Sequence, residues 1–493
     1  MMLQLLLGRA GSGKTHTIKR KILQKINENK KNILLIVPEQ ISFETEKDML
    51  SFLGEKLNTQ VLITSFKRLA EYIFEKTGNF PKERISTADK TLLMSLAIDS
   101  IKKDLKLYKD SSDKELIDIM LSASDEFKKC YVENVELEKI SNKLQNKILK
   151  YKLDDTIKIF DSYNKMLSGK YLDPMDELSL AYRELRNCNI FKDFYVFVDG
   201  FDGFTQQQML ILTQIALDSA YTCVSFCADE EEFAKEQSDL FSPIYKNIRK
   251  ILDMAKENNV AMSEPIFLSK NHRAANELNI LEKNFFRSNK TIYEGAVNDI
   301  VVYRAKNLYE EVDFVARTIK RLVFKENCKY RDISVISRSV ESYEGVIENC
   351  FKKYNIPLFL DKREPIDSKP LTQFIVALLS VVRTNFSSEY VFKYLKIGLL
   401  DFSYEEISDL ENYVLLWGID HDQWKANFSA SPSGISKKIT DENIEKLKEL
   451  NAIREKIILP ILKFSDKVKS CNGEKFTKEL YNFCLLYTSP SPR

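Results

Sequence analysis

The stretch LQLLLGRAGSGKT, residues 3–15, decides the fold of this chain. Its apolar half, Leu3–Leu7, is typical of a buried strand, and a helical pattern follows from His16 to about Lys30. Between them, Gly8–Thr15 matches the pattern G-x-x-x-x-G-K-S/T, in which glycines let backbone N–H groups converge on phosphate oxygens. Strand, loop and helix in this order predict a P-loop nucleotide site at the start of an α/β domain.

The residues of this loop have distinct expected tasks. Lys14 is placed to reach the β and γ phosphates of ATP, and Thr15 offers its hydroxyl to Mg²⁺. The N-terminus of the following helix adds a partial positive charge. A glycine-rich turn without a ligand is the alternative. The residues expected to hold the nucleotide here are Gly8, Gly11, Ser12, Gly13, Lys14 and Thr15.

Strand-rich and helix-rich regions alternate along the rest of the chain. Residues 1–84 and 191–295 show the β/α alternation of one parallel-sheet core. Residues 85–190 carry amphipathic helical patterns rich in Lys and Glu, so we expect a helical insertion there. The fold class predicted is therefore α/β of the P-loop NTPase type, with a large all-helical insertion in the sheet.

A second block of the same kind is predicted further along. Short apolar runs at Ile300–Arg304, Ile333–Ser337 and Leu358–Leu360 predict strands that begin a second α/β core over residues 296–375. Helical patterns then dominate residues 376–484, which we expect to be a second, truncated helical insertion.

Composition excludes several classes of protein. The chain has 493 residues, 44% of them hydrophobic and 30% charged, so it can bury several cores and is neither disordered nor collagen-like. Seventy-four Lys and Arg oppose 72 Asp and Glu, which argues against an all-over basic protein but allows a local nucleic-acid groove. Its apolar runs are too short for a membrane span, and no signal peptide is visible. We therefore expect a cytoplasmic protein without membrane contact.

Neither a disulfide framework nor a metal cage is expected in this chain. The eight cysteines are scattered and the histidines number only three. For Mg²⁺, a P-loop protein needs a carboxylate at the end of a neighbouring strand. Asp199 follows the strand-like run Phe194–Val198 and is the candidate, with a turn or capping carboxylate as the alternative.

The order of motifs resembles that of superfamily-one helicases of the UvrD type, and most of all the AddB family, whose members are subunits of the AddAB helicase–nuclease. RexB-type and RecC-type subunits are near neighbours. The resemblance runs from Leu3 to about Phe483 and rests on these segments: Gly8–Thr15, Val37–Gln40, Thr64–Ala70, Val198–Phe201 with Phe204 and Thr205, and Asp332–Ile336 with Tyr354–Pro357.

For the nucleotide site, the resemblance implies two further points. Arg273, after Asn271 and His272, stands where UvrD-like enzymes bring an arginine to the phosphates; a solvated arginine at a helix start is the alternative. Gly200 stands where active motors of this type carry a glutamate, so we expect inefficient ATP hydrolysis.

For DNA, the resemblance implies a surface that contacts single strands and reads a Chi-like signal. The residues to which it carries that role are Gln40, Ser42, Phe66, Arg68 and Phe201. They follow neighbouring strands, and the carboxyl ends of parallel strands meet at one edge of a sheet. An aromatic ring there would stack on bases, although core packing is the alternative for Phe66 and Phe201.

The resemblance also implies partners and missing parts. We expect an AddA-like helicase/nuclease subunit, single- and double-stranded DNA as partners, and a nuclease domain with an iron–sulfur cluster beyond this chain. Residues 485–493 resemble a translated adaptor, so we expect a piece of a longer protein. An autonomous superfamily-one helicase and a P-loop small-molecule phosphotransferase remain alternative functions.

Overall fold

The strand predicted from Leu3–Leu7 is present in the structure as Met2–Gly8. The computed structural model describes residues 2–55, 59–79, 83–109, 114–168, 170–229, 240–272, 275–285, 291–360, 366–434 and 440–488. Within them the chain divides into two compact units, 1–302 and 303–493, and each is described by itself below.

The first unit contains the sheet and most of the short loops between strands and helices. Its elements, in chain order, are β1 (Met2–Gly8), α1 (Lys14–Asn27), β2 (Ile33–Ile36), α2 (Ser42–Leu53), β3 (Val61–Thr64), α3 (Phe66–Thr77), β4 (Glu83–Arg84), α4 (Thr87–Ile101), α5 (Lys114–Lys129), α6 (Asn134–Ser141), α7 (Lys147–Leu167), β5 (Tyr171–Leu172), α8 (Glu177–Leu185), β6 (Tyr195–Val198), α9 (Gln206–Asp218), β7 (Tyr221–Cys227), α10 (Ser242–Glu257), β8 (Ala261–Met262), β9 (Ile266–Leu268) and α11 (Asn276–Asn284).

The main sheet is parallel in every strand pair of the described residues. The strand order is β3-β2-β6-β7-β1-β8, with β9 also paired to β1. The chain leaves the sheet after β3 and returns at β6, directly beside β2, where Ile36 lies opposite Val198. The α/β fold class predicted from the sequence is confirmed, and the helices between β3 and β6 are an insertion in the sheet.

Both faces of this sheet are covered, which is why its strands read as continuous apolar runs. Alternate residues of each strand enter different cores. Leu5 and Leu7 belong to the core shared with α3, α8, α9 and α10, whereas Leu6 belongs to the core shared with α1 and α2. The carboxyl ends of β1, β2, β3, β6 and β7 meet at one edge, and that edge carries the candidate site.

The inserted helices have a core of their own, built from α4, α5 and α7. The amphipathic pattern over residues 135–151 predicts one continuous helix, which is wrong, because α6 ends at Ser141 and α7 begins at Lys147. The break has a local cause, since the Asn146 side chain accepts hydrogen bonds from the backbone N–H groups of Ile148 and Leu149 and so starts a new helix. A short parallel pair, β4 with β5, was not predicted.

The second unit is helical in the residues described. Its helices are α12 (Leu308–Lys325), α13 (Val346–Lys353), α14 (Pro370–Arg383), α15 (Ser388–Leu395), α16 (Tyr404–Trp417), α17 (Asp441–Val468) and α18 (Gly473–Thr488). Helices α14 to α18 share one apolar core. Residues 489–493 of the predicted foreign tail lie outside the described residues, and α18 runs through the start of that tail.

The strands predicted for a second α/β core are not formed. Residues 300–304, 333–337 and 358–360 are irregular in the structure. A strand exists only when a neighbour pairs with its backbone, and no ladder joins these segments within the described part of the chain. Ile333 and Leu360 pack against α12 and α13, but Ile336 and Phe359 are 93% and 90% exposed. The prediction of strands at these three segments is therefore wrong for the structure described.

Across the described ranges, each helix is too short or too polar to cross a lipid bilayer.

Candidate nucleotide site and sheet edge

The loop between β1 and α1 has the backbone of a phosphate cradle. Gly11 and Gly13 have φ values of +74° and +89°, in the left-handed region that favours glycine. Gly13 is also the N-cap of α1, and no side chain caps this helix end. Its first N–H groups therefore point out of the helix without a side-chain acceptor, which is the arrangement that attracts an anion.

Two side chains of the loop have polar groups that a phosphate could bind. The Lys14 ammonium donates to the carbonyl oxygens of Gly8 (2.7 Å) and Arg9 (2.9 Å), so it is folded back over the loop. The Ser12 hydroxyl is buried and has no hydrogen-bond partner among the described residues. A buried unpaired hydroxyl is costly, and a phosphate oxygen would satisfy it. The residues present therefore fit a nucleotide phosphate.

A segment from the far end of the first unit lies across this loop. The backbone N–H of His272 donates to the Gly11 carbonyl at 3.1 Å. A Cβ atom added to Gly11 would collide with the Asn271 Oδ1 atom, and one added to Gly8 would lie 2.7 Å from the Leu268 carbonyl oxygen. Both glycines are thus required by close approach. The sequence did not predict that Asn271 and His272 lie against the loop 8–15, although it did place them after a short strand.

Arg273, expected to reach the phosphates, lies outside the described residues. A different arginine is fixed at the loop instead. Arg9 is paired with Asp229 at 2.7 Å and with Glu282 at 3.0 Å, and it ties the loop to the ends of β7 and α11. Sequence reasoning missed this pair because the partners are more than 200 residues away.

Asp199 follows β6 and is buried at the same edge of the sheet. Its backbone N–H donates to the Ile36 carbonyl at 3.0 Å, and its carboxylate accepts a hydrogen bond from the Ser225 hydroxyl on β7. A fixed carboxylate is the hard oxygen ligand that Mg²⁺ prefers. No group of three or more His, Cys, Asp or Glu side chains converges on a metal position within the described ranges. Magnesium would therefore need nucleotide oxygens and the Thr15 hydroxyl as well as Asp199.

Gly200, the next residue, has a backbone conformation in which a side chain would be strained. Its φ is +80°, and an added Cβ would lie 3.0 Å from Ile41 Cδ1 and 3.3 Å from Pro38 Cδ. A residue with a carboxylate would be strained here and would press on the turn after β2. The backbone conformation at position 200, as well as the glycine itself, therefore disfavours a catalytic carboxylate there.

The turn after β2 and the start of α3 are held together at the sheet edge. The Glu39 carboxylate accepts a hydrogen bond from the Ser65 hydroxyl, and Ser65 caps α3. Arg68 forms an ion pair with Glu46 of α2 at 2.5 Å. Gln40 and Arg68 are exposed, whereas Ser42 is buried and donates to the Glu39 carbonyl at 3.0 Å. Two of the five residues expected to contact DNA are thus accessible at this edge.

The two phenylalanines expected to stack on bases are placed differently from that expectation. Phe66 is only 4% exposed and belongs to the main core. Its ring packs edge-on against Phe201 at 5.4 Å and against Phe204 at 6.0 Å between centroids. Phe201 is half-buried against the same core. Phe66 cannot stack on a base while it is covered in this way, because the helix start places its side chain inward.

Comparisons with known proteins identify the family to which this sequence is similar. A family model described as "ADDB, N-terminal" matches residues 5–282, and one described as "UvrD-like helicase C-terminal domain" matches residues 266–484. Among curated relatives, the B-type subunit of the ATP-dependent helicase/deoxyribonuclease of Clostridium kluyveri is 34% identical over 98% of this chain and 43% of its own length. The protein of the same name from Clostridium novyi is 32% identical over 98% of this chain and 42% of its own. The chain spans less than half the length of these relatives.

Proposed function

Since this chain belongs to the ADDB N-terminal family, we propose that it is the nucleotide-binding and DNA-contacting part of the AddB-type subunit of an ATP-dependent helicase/deoxyribonuclease. The resemblance of the sequence motifs to those of AddB subunits supports the same proposal. The whole assembly would act on broken DNA ends for homologous recombination and would work in the cytoplasm.

One observation carries the nucleotide part of this proposal. The loop 8–15 offers an uncapped helix N-terminus, the folded-back ammonium of Lys14 and the buried, unpartnered hydroxyl of Ser12. All three are complementary to phosphate oxygens. On binding, Lys14 exchanges its bonds to the Gly8 and Arg9 carbonyls for bonds to the phosphates. Thr15 and Asp199 would hold Mg²⁺, whose chemistry when bound is to neutralise phosphate charge.

We infer that ATP is bound more readily than it is hydrolysed here. A phosphoryl-transfer site needs a group that orients the attacking water. Gly200 supplies no side chain, and a side chain introduced there would be strained by the φ of +80° and by close contact with Ile41 and Pro38. This argues against an autonomous helicase. The large inserted helices argue against a compact small-molecule phosphotransferase.

The remaining parts of the proposal concern partners. Gln40 and Arg68 are exposed at the sheet edge where ligands of parallel sheets bind, and we propose that this edge contacts single-stranded DNA and takes part in reading a Chi-like signal. An AddB-type subunit requires a partner, for which we propose an AddA-like helicase/nuclease subunit. The nuclease site and an iron–sulfur cluster would belong to the part of the AddB-type subunit that follows this chain.

A titration with a fluorescent ATP analogue, with and without Mg²⁺, tests the nucleotide site. We expect saturable binding that Mg²⁺ tightens, and turnover of ATP that stays slow when single-stranded DNA is added. No binding would refute the P-loop assignment. Rapid, DNA-stimulated turnover by this chain alone would instead favour an autonomous motor.

A further inference from the structure

The burial of Phe66 leaves the proposed DNA edge without the aromatic platform expected of it. Another phenylalanine is exposed in the first turn of α2. This residue, Phe43, is 75% exposed and lies two residues after the turn Glu39–Ile41 that follows β2. From this geometry we propose that Phe43 is the residue on which a base of single-stranded DNA stacks, an inference that rests on the proposed function.

The neighbours of Phe43 suit a nucleic acid chain. Lys47 is exposed and lies four residues further on, so it is on the same face of α2 as Phe43. Arg68 is held against α2 by its pair with Glu46, three residues from Phe43, and Lys67 beside it is exposed. A base stacked on the ring therefore has the exposed ammonium of Lys47 one helical turn away for a flanking phosphate, whereas Arg68 is already paired with Glu46.

The acidic side chains of this surface are mostly engaged. Glu39 accepts from Ser65, Glu46 pairs with Arg68, and Asp48 pairs with Lys19. Glu44 is exposed, but it lies about 100° around the helix from Phe43. The face that carries Phe43 and Lys47 thus presents an aromatic ring and a cation, which complement a base and a phosphate, with Leu50 also exposed on it.

The position of Phe43 also separates it from the protein core. The buried face of α2 is formed by Ser42, Met49 and Leu53. Phe43 projects away from that face, so its removal leaves the core intact. Stacking on an exposed ring is sequence-tolerant because every base has a π-face. Phe43 would therefore bind the strand whatever its sequence, while Gln40 is available for hydrogen bonds with base edges.

The test is fluorescence anisotropy with a labelled dT oligonucleotide and four forms of the chain: wild type, Phe43→Ala, Phe43→Trp and Phe324→Ala. Phe324 is the matched control, a phenylalanine of similar exposure, 73%, in the second unit. We expect Phe43→Ala to weaken binding roughly tenfold or more. Phe43→Trp should restore affinity, and Phe324→Ala should bind like wild type.

Two further measurements distinguish base stacking on Phe43 from a loss of electrostatic attraction to the phosphates. Phe43→Ala should keep the dependence of affinity on salt, whereas Lys47→Ala should flatten the slope of log K against log salt by roughly 0.7, the value for one phosphate on a single strand. A 5-iodouracil oligonucleotide should cross-link to the tryptic peptide of residues 32–47, which contains Phe43.

The outcomes are distinguishable. If wild type does not bind the oligonucleotide, the DNA part of the proposed function fails and this inference fails with it. If wild type binds and Phe43→Ala binds equally well, only the inference on Phe43 is overturned. Unchanged DNA binding with loss of assembly with a partner subunit would assign the face to protein contact and would also overturn it.

Discussion

At the scale of single residues, position 200 shows how a backbone conformation restricts chemistry. Gly200 follows the buried Asp199, and its φ of +80° is available to glycine at little cost. Any Cβ there also meets Ile41 and Pro38. A glutamate introduced at this position would therefore disturb the turn after β2, and it would not be held in place to orient a water molecule.

We predict that Gly200→Glu does not create rapid ATP turnover and that Gly200→Ala is already destabilising. The loss for Gly200→Ala should be about 2–3 kcal/mol in the free energy of unfolding, from left-handed backbone strain plus close contact. Gly78→Ala is the matched control, because Gly78 has a φ of +73° but open space around it. Its loss should be only about 1 kcal/mol. Equal losses in urea unfolding would contradict the contact with Ile41.

Lys14 gives the second prediction at this scale. Lys14→Ala removes a charged donor, so affinity for a fluorescent ATP analogue should fall roughly tenfold to a hundredfold, while circular dichroism stays unchanged. Lys21→Ala is the control on the same helix. Lys21 bonds to Gln4 at 3.0 Å, away from the loop, so its variant should bind like wild type. An unaltered affinity of Lys14→Ala would remove the P-loop assignment.

At the scale of elements, the edge of the sheet is supported by an aromatic cluster. Phe66 at the start of α3 packs with Phe201 and Phe204 from the segment between β6 and α9. These rings join the segments that follow β3 and β6, on either side of β2 in the sheet, so they fix the turn that carries Asp199 and Gly200 relative to α3.

We predict that Phe66→Ala acts on stability. It should lower the free energy of unfolding by about 3–5 kcal/mol, as for a phenylalanine removed from a packed core. The exposed Phe43→Ala should change stability by less than about 0.5 kcal/mol. Urea unfolding followed by fluorescence or circular dichroism measures both. A small loss for Phe66→Ala would show that its ring is not packed as described.

The inserted helices are joined to β5 and the turn that follows it by a buried charge network. Lys128 of α5 donates to Asp173 and to Asp176, each at 2.7 Å, and Lys90 of α4 lies 3.2 Å from Asp173. Burial alone would raise the pKa of Asp173, but the ammonium of Lys128 outweighs it and the pKa is lowered. For Asp176 burial prevails, and the pKa is raised.

The pH dependence of unfolding tests this network. A lowered pKa in the folded state means that the Asp173 carboxylate stabilises the fold above about pH 4, and that this contribution is lost as the pH falls. Asp173→Asn should therefore cost about 3 kcal/mol at pH 7 and much less at low pH. Asp176→Asn should show the opposite trend, because its raised pKa favours the folded state at low pH. Parallel pH profiles for wild type and Asp173→Asn would contradict the pairing.

At the scale of the molecule, the main sheet lies wholly within the first unit. The seven strands of its main sheet lie between Met2 and Leu268, and both faces of that sheet are covered by helices of the same unit. We predict that residues 1–302, expressed alone, fold cooperatively and bind an ATP analogue as tightly as the whole chain. Thermal melting and the same titration measure this. A fragment that is unfolded, or that folds without binding, would show that residues 303–493 complete the site.

The sequence determined the parts of this protein that depend on neighbours along the chain. Strand, loop and helix over residues 3–30 follow from local pattern, and so do most helices. The loop chemistry of Gly11, Gly13 and Lys14 was readable because a phosphate cradle is a local structure. The parallel sheet followed from the alternation of strands and helices.

Tertiary structure decided what depends on distant partners. The inward direction of Phe66, the approach of Asn271 to Gly11 and the pairing of Arg9 with Asp229 all join segments far apart in sequence. The apolar runs after residue 300 predicted strands, but a strand needs a second strand beside it, and periodicity along one segment carries no information about that neighbour. Local pattern fixes which conformation a segment favours; only the assembled fold decides which atoms its side chains meet.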